Sequence, residues 1–316
     1  MGQNGRDGVD RRGALRCMLW AGSGVLWTVA GGVPQSSSLL GTTEANAQVE
    51  NGFTFLQISD NHIGYKAAAN PNPLATLEEA VDKIRALARK PAFLIHTGDI
   101  THLSKAEQFD NADQIIGKAV LDTFYVPGEH DILDPVPGQI YMERYGKRLG
   151  AAGTGWYSFD QNGVHFVGLV NVANLKAGGM GVLGPKQLAW LADDLKGKSP
   201  STPLVLFAHV PLWTVAADWG WGTDDAVQVL NLVKPFGSVT VLNGHVHQIM
   251  QKIEGAVTFH TARSTAFPQP VPGTAAQPAA LKLPDDRLRS ALGITSIAVK
   301  RGTRPLAITD SELDET

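Results

Sequence analysis

Five times along the chain an apolar run stops abruptly at a turn that carries aspartate, glutamate or histidine. The segments are Phe55-Leu-Gln-Ile-Ser-Asp60-Asn-His62, Phe93-Leu-Ile-His-Thr-Gly-Asp99-Ile100, Phe124-Tyr-Val-Pro-Gly-Glu129-His130-Asp131, Leu204-Val-Leu-Phe-Ala-His209 and Val239-Thr-Val-Leu-Asn-Gly-His245-Val-His247. A short apolar run ended by a turn signal reads as a buried strand, and ligands of open α/β sheets gather beyond strand carboxyl ends. Three carboxylates and four imidazoles from these turns suffice to hold two metal ions, with Asp99 shared, since one carboxylate can bridge ions about 3.5–4 Å apart. Mixed imidazole and carboxylate donors suit Fe, Mn or Zn, divalent or trivalent, better than Mg or Ca. Any single Asp or His after a strand is more often a cap or turn residue than a ligand. Five such turns, one of them a Gly-His-x-His, carry the argument that no one turn carries.

The intervening sequence predicts the elements that would hold these turns. Apolar residues at Leu77, Ala80, Val81, Ile84, Leu87 and Ala88 give a helical stripe over Leu74–Lys90, and a second helix is expected over Ala106–Val120. Strand, helix and strand in succession argue βαβ units and a parallel sheet. A short helix is expected over Gln139–Leu149, further helices from Pro185 to Leu195 and from Asp224 to Phe236, and a last strand over Ile294–Lys300. Strand-like runs on either side of Asp160-Gln-Asn-Gly163, and again of Glu254-Gly255, predict hairpins and hence mixed sheets. Residues 267–286, rich in Pro and Ala, read as a long irregular loop, and the acidic tail Asp310–Thr316 as frayed. No repeat or linker divides the chain, so residues 48–316 are expected to form one domain.

The first 47 residues carry a different message. Arg11-Arg12 precede an uncharged, moderately apolar run from Cys17 to Val33, and Ala45-Asn46-Ala47 offers an A-x-A cleavage site before Gln48. This resembles a twin-arginine signal, too short and mild for a permanent membrane span. The expectations are engagement of the twin-arginine export machinery, cleavage, and a periplasmic or secreted location. Cleavage removes Cys17, the only cysteine in the chain, leaving no disulfide, thiolate ligand or cysteine nucleophile. A route that exports folded protein lets a metal be loaded before crossing. Of 316 residues, 43% are hydrophobic and 18% charged, and the net charge is -3, which describes a globular chain and carries no sign of a nucleic-acid polymer as partner.

Taken together, Asp60-x-His62, Gly98-Asp99, Gly128-Glu129-His130-Asp131, His209 and Gly244-His245-x-His247 resemble the calcineurin-like metallophosphoesterases, from Phe53 to about His260. The resemblance implies a four-layer α/β/β/α sandwich of two mixed sheets flanked by helices. It places Asp60, His62 and His247 on one metal, His209 and His245 on the other, and Asp99 between them. It also implies that His130 faces the leaving oxygen, oriented by Asp131. Phosphoryl transfer needs charge neutralisation and in-line positioning more than covalent chemistry, and a pair of cations supplies both while making hydroxide available at neutral pH. The chain departs from the family at one position, where Glu129, an anion, stands in place of a neutral Asn ligand.

Around this set lie weaker candidates. His102, three residues past Asp99, falls where the related purple acid phosphatases place a Tyr ligand, and is read as a rim residue. Trp213, Trp219 and Trp221 form a possible wall for stacking a base, against the plainer reading that they pack on a sheet edge. Arg263 is a candidate phosphate contact, and Thr261–Ala266 is similar to the segment after the last ligands in bacterial cyclic-nucleotide phosphodiesterases. His96, His165 and His260 read as satisfied core histidines. The expected activity is hydrolysis of a small phosphodiester such as a cyclic nucleotide; the alternatives are a phosphomonoesterase with the same site and a metal-holding protein in which Glu129 has quenched catalysis.

Overall fold

The computed structural model describes residues 28–30, 33–35, 52–151, 153–173, 175, 179–300 and 306–314. The expected twin-arginine signal lies outside the described residues except for two short strands, Thr28–Ala30 and Val33–Gln35, which pair antiparallel. Among the described residues no helix is long and apolar enough to cross a membrane.

Two mixed sheets form the centre. The first orders its strands β11(Ala307–Glu312), β10(Gly293–Lys300), β1(Gly52–Ile58), β2(Leu94–His96), β3(Thr123–Tyr125). Its β1-β2-β3 half is parallel and its β1-β10-β11 half antiparallel. The second runs β8(Gln251–Glu254), β9(Val257–Thr261), β7(Val239–Asn243), β6(Leu204–Phe207), β5(Val164–Gly168), β4(Tyr157–Gln161), parallel in the middle and closed at each edge by an antiparallel hairpin. Both hairpins fall where the sequence placed them. The first turns through Asn162 (φ 49°) and Gly163 (φ 82°), the left-handed pair that a two-residue hairpin demands.

Strand alternation sorts the apolar residues into three packed zones. Leu56, Ile58 and Leu94 point outward, beneath helices α1(Pro73–Ala86) and α2(Ala106–Ile116), while Leu204, Leu206, Val239 and Val241 lie beneath α3(Pro185–Asp194) and α4(Ala226–Val233). Their neighbours Phe55, Phe93, Ile95, Phe166, Val205, Phe207 and Leu242 point the other way and fill the space between the sheets. The result is the expected helix, sheet, sheet, helix sandwich. Aromatic edges do much of the inner packing, with Phe93 meeting Phe166 at 5.2 Å and 87°.

Helix ends follow local chemistry. Asn72 caps α1 by accepting from Ala75 N, and Pro73 takes the first position, where its missing N–H is no loss. The expected helix over 106–120 stops at Ile116 and finishes as a 3-10 turn, Gly117–Ala119. Over 139–149 only Gln139–Tyr141 is α-helical before a π turn, Met142–Gly146. Residues 267–284 carry no helix or strand.

The acidic tail corrects the expectation of fraying. Residues 307–312 form the edge strand β11, because its acids find internal partners: Asp310 accepts from Thr295 Oγ1 at 2.7 Å and meets His260 Nε2 at 3.1 Å, and Glu312 pairs with Arg263 at 2.9 Å.

Polar side chains bolt the two sheets together at the strand ends. Gln57 on β1 donates to Thr97 Oγ1 and to Asn243 O of the second sheet, and His209 Nδ1 donates to Thr97 O at 2.6 Å. The loops after β1, β2, β3, β6 and β7 therefore emerge at one end of the sandwich, held in mutual register.

Candidate dinuclear metal centre

Eight non-glycine residues among those described have positive φ, and five of them are Asp60 (56°), His62 (43°), Asp99 (53°), His245 (69°) and His247 (53°). Left-handed backbone costs a residue with a Cβ about 1 kcal/mol or more. Its concentration in the strand-end turns means that the chain bends against local preference to aim these side chains inward. The turns are also strapped to one another, Asp60 N donating to Gly98 O and His62 N to Asp99 O, each at 2.9 Å. Two glycines permit the close approach: a Cβ at Gly128 would stand 2.0 Å from Asp99 Oδ1, and one at Gly244 2.0 Å from Ser59 Oγ.

The side chains converge as two groups with one shared member. Asp60, His62 and His247 form the first, with His247 Nε2 3.2 Å from Asp60 Oδ1 and 3.2 Å from His62 Nε2. Glu129, His209 and His245 form the second, with Glu129 Oε2 3.0 Å from His209 Nε2 and Oε1 3.0 Å from His245 Nδ1. Asp99 Oδ2 lies 3.4 Å from His62 Nε2 and 3.4 Å from His209 Nε2. It stands between the groups.

These contacts fit metal ions better than they fit hydrogen bonds. Donors bound at about 2.1 Å with angles of 90–110° sit about 3.0–3.4 Å from one another, which is the spacing found. Among the described residues Glu129 Oε2 and His209 Nε2 are buried without a hydrogen-bond partner although they lie 3.0 Å apart, and His245 Nε2, the ring nitrogen that does not meet Glu129, is buried without one too. The outer ring nitrogens settle the tautomers. His209 Nδ1 donates to Thr97 O, and His247 Nδ1 donates to Phe267 O at 2.5 Å, so each presents Nε2 inward, the atom that a bound cation would take in place of a proton.

The electrostatics agree. Burial, reinforced by His247, His130 and His102, drives His62 well below the ordinary histidine range and keeps it a neutral donor. Burial opposes charge on His209, yet Asp99 and Glu129 outweigh it and pull that imidazole well above its usual range. Burial likewise pushes Glu129 up, but His245 and His209 prevail and hold it well below the carboxylate range. The cluster attracts positive charge, whether a proton or a cation.

The profile of the calcineurin-like phosphoesterase family matches residues 53–249. The chain belongs to this family. A 3',5'-cyclic-nucleotide phosphodiesterase of Nostoc sp. (strain PCC 7120) is 22% identical over 217 residues, which span 67% of this chain and 77% of that protein. Among solved structures, a dimetal phosphatase from Danio rerio matches with a TM-score of 0.62 at 15% identity, over 83% of this chain and 97% of that one. A purple acid phosphatase from yellow lupin seeds matches with a TM-score of 0.56 at 13% identity, over 84% and 52%. These two likenesses establish the fold.

In this phosphoesterase His130 lies outside the two groups above, yet it has a ligand atom within 4.8 Å of Asp99 and Glu129 and one within 4.8 Å of His62 and His102. Its backbone N–H donates to Asp99 Oδ1 at 3.0 Å, and its Nδ1 donates to His102 O at 2.8 Å, leaving Nε2 as its free ring atom. Burial lowers its proton affinity, but Asp99, Glu129 and the His102 carbonyl reverse the sign and raise it. Asp131 was expected to orient this ring and instead ties loops together. Its carboxylate accepts from Ile100 N, Thr101 N, Thr101 Oγ1 and Gly128 N, so it fixes the β2 and β3 turns against each other. Burial and nearby Asp99 push that carboxyl up to about 7.

His102 stands closer to the chemistry than a rim residue. Its Nδ1 is 3.3 Å from His62 Nδ1 and its ring stacks on His130 at 4.7 Å. Arg263 is turned away from the cluster, its guanidinium donating to Ser290 O and Glu312. The tryptophan wall dissolves too. Trp221 is buried with Val246 and Met250, Trp219 meets it edge-on at 5.0 Å, and Trp213 packs on Phe259 at 5.1 Å. None of the three makes a ring contact with the cluster among the described residues.

The aromatic groups beside the cluster are ones that the sequence reading passed over. Phe267 stacks on His62 at 4.8 Å and 26°, and meets His247 at 4.8 Å; Tyr65 packs on Phe267 at 4.4 Å and edge-on to His102 at 5.3 Å. Phe267 opens the Pro- and Ala-rich loop, where no periodic pattern marks a residue for burial. The preceding segment is buckled onto the first ligand turn, Ser264 Oγ donating to Asp60 O and Thr265 Oγ1 to Asn61 Oδ1. His96, His165 and His260 are buried as expected, and His165 and His260 are satisfied at both ring nitrogens, but His96 is not: its Nδ1 accepts from Gly98 N while its Nε2 has no hydrogen-bond partner among the described residues.

Proposed function

We propose that this phosphoesterase hydrolyses a phosphodiester, a cyclic nucleotide being the first substrate to test. The observation that carries the hydrolytic reading is Asp99 Oδ2 equidistant from His62 Nε2 and His209 Nε2, 3.4 Å from each. The diester reading draws support from the 3',5'-cyclic-nucleotide phosphodiesterase of Nostoc sp., 22% identical to this chain.

Asp60, His62 and His247 would hold one ion, Glu129, His209 and His245 the other, with Asp99 common to both. Such a pair, when bound, neutralises phosphoryl oxygens and acidifies water at neutral pH. The remaining work falls to the chain. Thr97 and Phe267, through their carbonyls, hold the tautomers of His209 and His247. The His102 carbonyl anchors His130 through Nδ1, so that a proton held at Nε2 is available to the departing alkoxide as water adds at phosphorus and the P–O bond breaks. Phe267 and Tyr65 offer the apolar flank for the leaving group. Export through the twin-arginine route to the periplasm belongs to the same proposal, resting on Arg11-Arg12 and Ala45-Asn46-Ala47.

The test is hydrolysis of bis-p-nitrophenyl phosphate against p-nitrophenyl phosphate by protein reconstituted with Mn, Fe or Zn, followed by a panel of cyclic nucleotides. A clear preference for the monoester overturns the diester reading. Absence of any turnover in wild type, with turnover gained on Glu129→Asn, favours a metal-holding protein instead.

A further inference from the structure

Glu129 is the one member of the cluster that the family pattern does not supply, and the structure shows where its charge goes. Each oxygen lies 3.0 Å from an imidazole, Oε1 from His245 Nδ1 and Oε2 from His209 Nε2, and the side chain is only 24% exposed. The carboxylate is thus held among the ligands, not swung into solvent. With both ions in place nothing cationic of the protein's own is left to offset it: among the described residues the ion-pair partners of Asp60, Asp99 and Glu129 are all imidazoles, which are neutral as metal ligands, and Arg263 is committed to Glu312.

Charge counting then separates two substrate classes. Three carboxylates set against two divalent ions leave one net positive charge, where an amide at this position leaves two. A phosphodiester carries a single negative charge at neutral pH, while a phosphomonoester, whose second pKa is about 6, carries nearly two. Repulsion by a fixed carboxylate scales with the charge it meets, and in a partly dry site one unit is worth about tenfold or more in affinity.

We propose that Glu129 is a specificity determinant, which matches the site to monoanionic phosphodiesters and turns dianionic monoesters away. The inference rests on the dinuclear reading above and gives it a cause for substrate class. The carboxylate does this without touching the leaving group, so it selects by charge and leaves the identity of the alcohol to the flanking aromatic residues.

The test separates binding from turnover. Mn-loaded protein is titrated by calorimetry with phenylphosphonate, a dianion at mildly alkaline pH, and with methyl phenylphosphonate, a monoanion; neither is a phosphate ester. Wild type should bind the monoanion at least as tightly. Glu129→Gln, which keeps length and hydrogen bonding, should gain about tenfold for the dianion with little change for the monoanion, and its ratio of bis-p-nitrophenyl phosphate to p-nitrophenyl phosphate turnover should fall about tenfold. A wild type that binds the dianion tenfold tighter overturns the proposal, as does an unchanged ratio in a variant shown by elemental analysis to hold both ions. A trivalent ion in the native protein, restoring the second positive charge, also overturns it. Should the variant lose metal, the wild-type comparison of the two phosphonates decides alone. Diester turnover without the predicted selectivity sinks this inference and spares the hydrolytic reading; selectivity in binding without turnover does the reverse.

Discussion

Among the described residues of this phosphoesterase, the carboxylates around buried His165 and the cluster at the strand ends are built on opposite plans. At His165, on β5, both ring nitrogens are consumed by carboxylates, Nδ1 by Asp160 at 2.8 Å and Nε2 by Asp194 at 2.7 Å, and Ser158 adds a 2.6 Å bond to Asp194. His165 lies within an ordinary strand. At the strand-end cluster the same residue types stand 3.0–3.4 Å apart, hold unpartnered buried atoms, and occupy left-handed backbone. Where nitrogen and oxygen satisfy each other, the histidine is structure. Where they crowd without satisfying each other, and the backbone is strained to crowd them, a third party completes the arrangement.

The sharpest way to break that contrast is to remove the shared ligand. Asp99→Asn should lower turnover by about 10³-fold or more and leave less metal bound by elemental analysis; full activity with both ions retained would place the chemistry elsewhere. His130→Ala should lose about 10²- to 10⁴-fold in kcat while keeping its metal content. Loss of metal in that variant would make His130 a ligand instead.

Chelation reads the same contrast thermally. Stripping bound ions should lower the melting temperature by about 5 °C or more, because an ion that binds only the folded chain stabilises it by mass action. His165→Ala should show the mirror image: stability falls by about 1–3 kcal/mol in denaturant unfolding, with metal content and kcat unchanged. A drop in metal content there would mean that the two clusters are coupled.

The smallest expected effect is acid-dependent. Burial raises Asp194, but His165 and Ser158 outweigh it and hold the carboxyl below its ordinary value. A carboxyl depressed in the folded state contributes stability above its unfolded pKa, about 3.9, and loses it as pH falls through the folded value. Asp194→Asn should therefore be less stable than wild type near neutrality by about 1 kcal/mol or less, and the gap should close as the medium is acidified below about pH 4. A constant gap across that range would show that packing, not charge, is what Asp194 contributes.

Much of the sandwich was legible because burial imposes period. Leu56, Ile58 and Phe55 alternate between helix-facing and sheet-facing surfaces, and Asn162-Gly163 names its own turn. The ligand turns were legible for a related reason: a strand that ends at Gly-Asp or Gly-His-x-His says where its polar residues emerge. What failed depended on side-chain direction after the chain has left a regular element. Trp221 and Trp219 share one loop, yet Trp221 is buried and Trp219 half-exposed. Arg263 follows β9 but finds Glu312 on a strand 49 positions later. Asp131 is adjacent to His130 in sequence and gives its oxygens to the backbone of other turns.

From the order of its residues alone, this chain declared its layers, its strand ends and the donors that cluster there, since periodicity and turn chemistry are local properties that any reader of the sequence can count. Which donor is shared, which imidazole nitrogen faces inward, and that Glu129 stays among the ligands while Phe267 covers one flank were decided only when two sheets packed face to face, because those answers depend on distances between residues far apart in the chain.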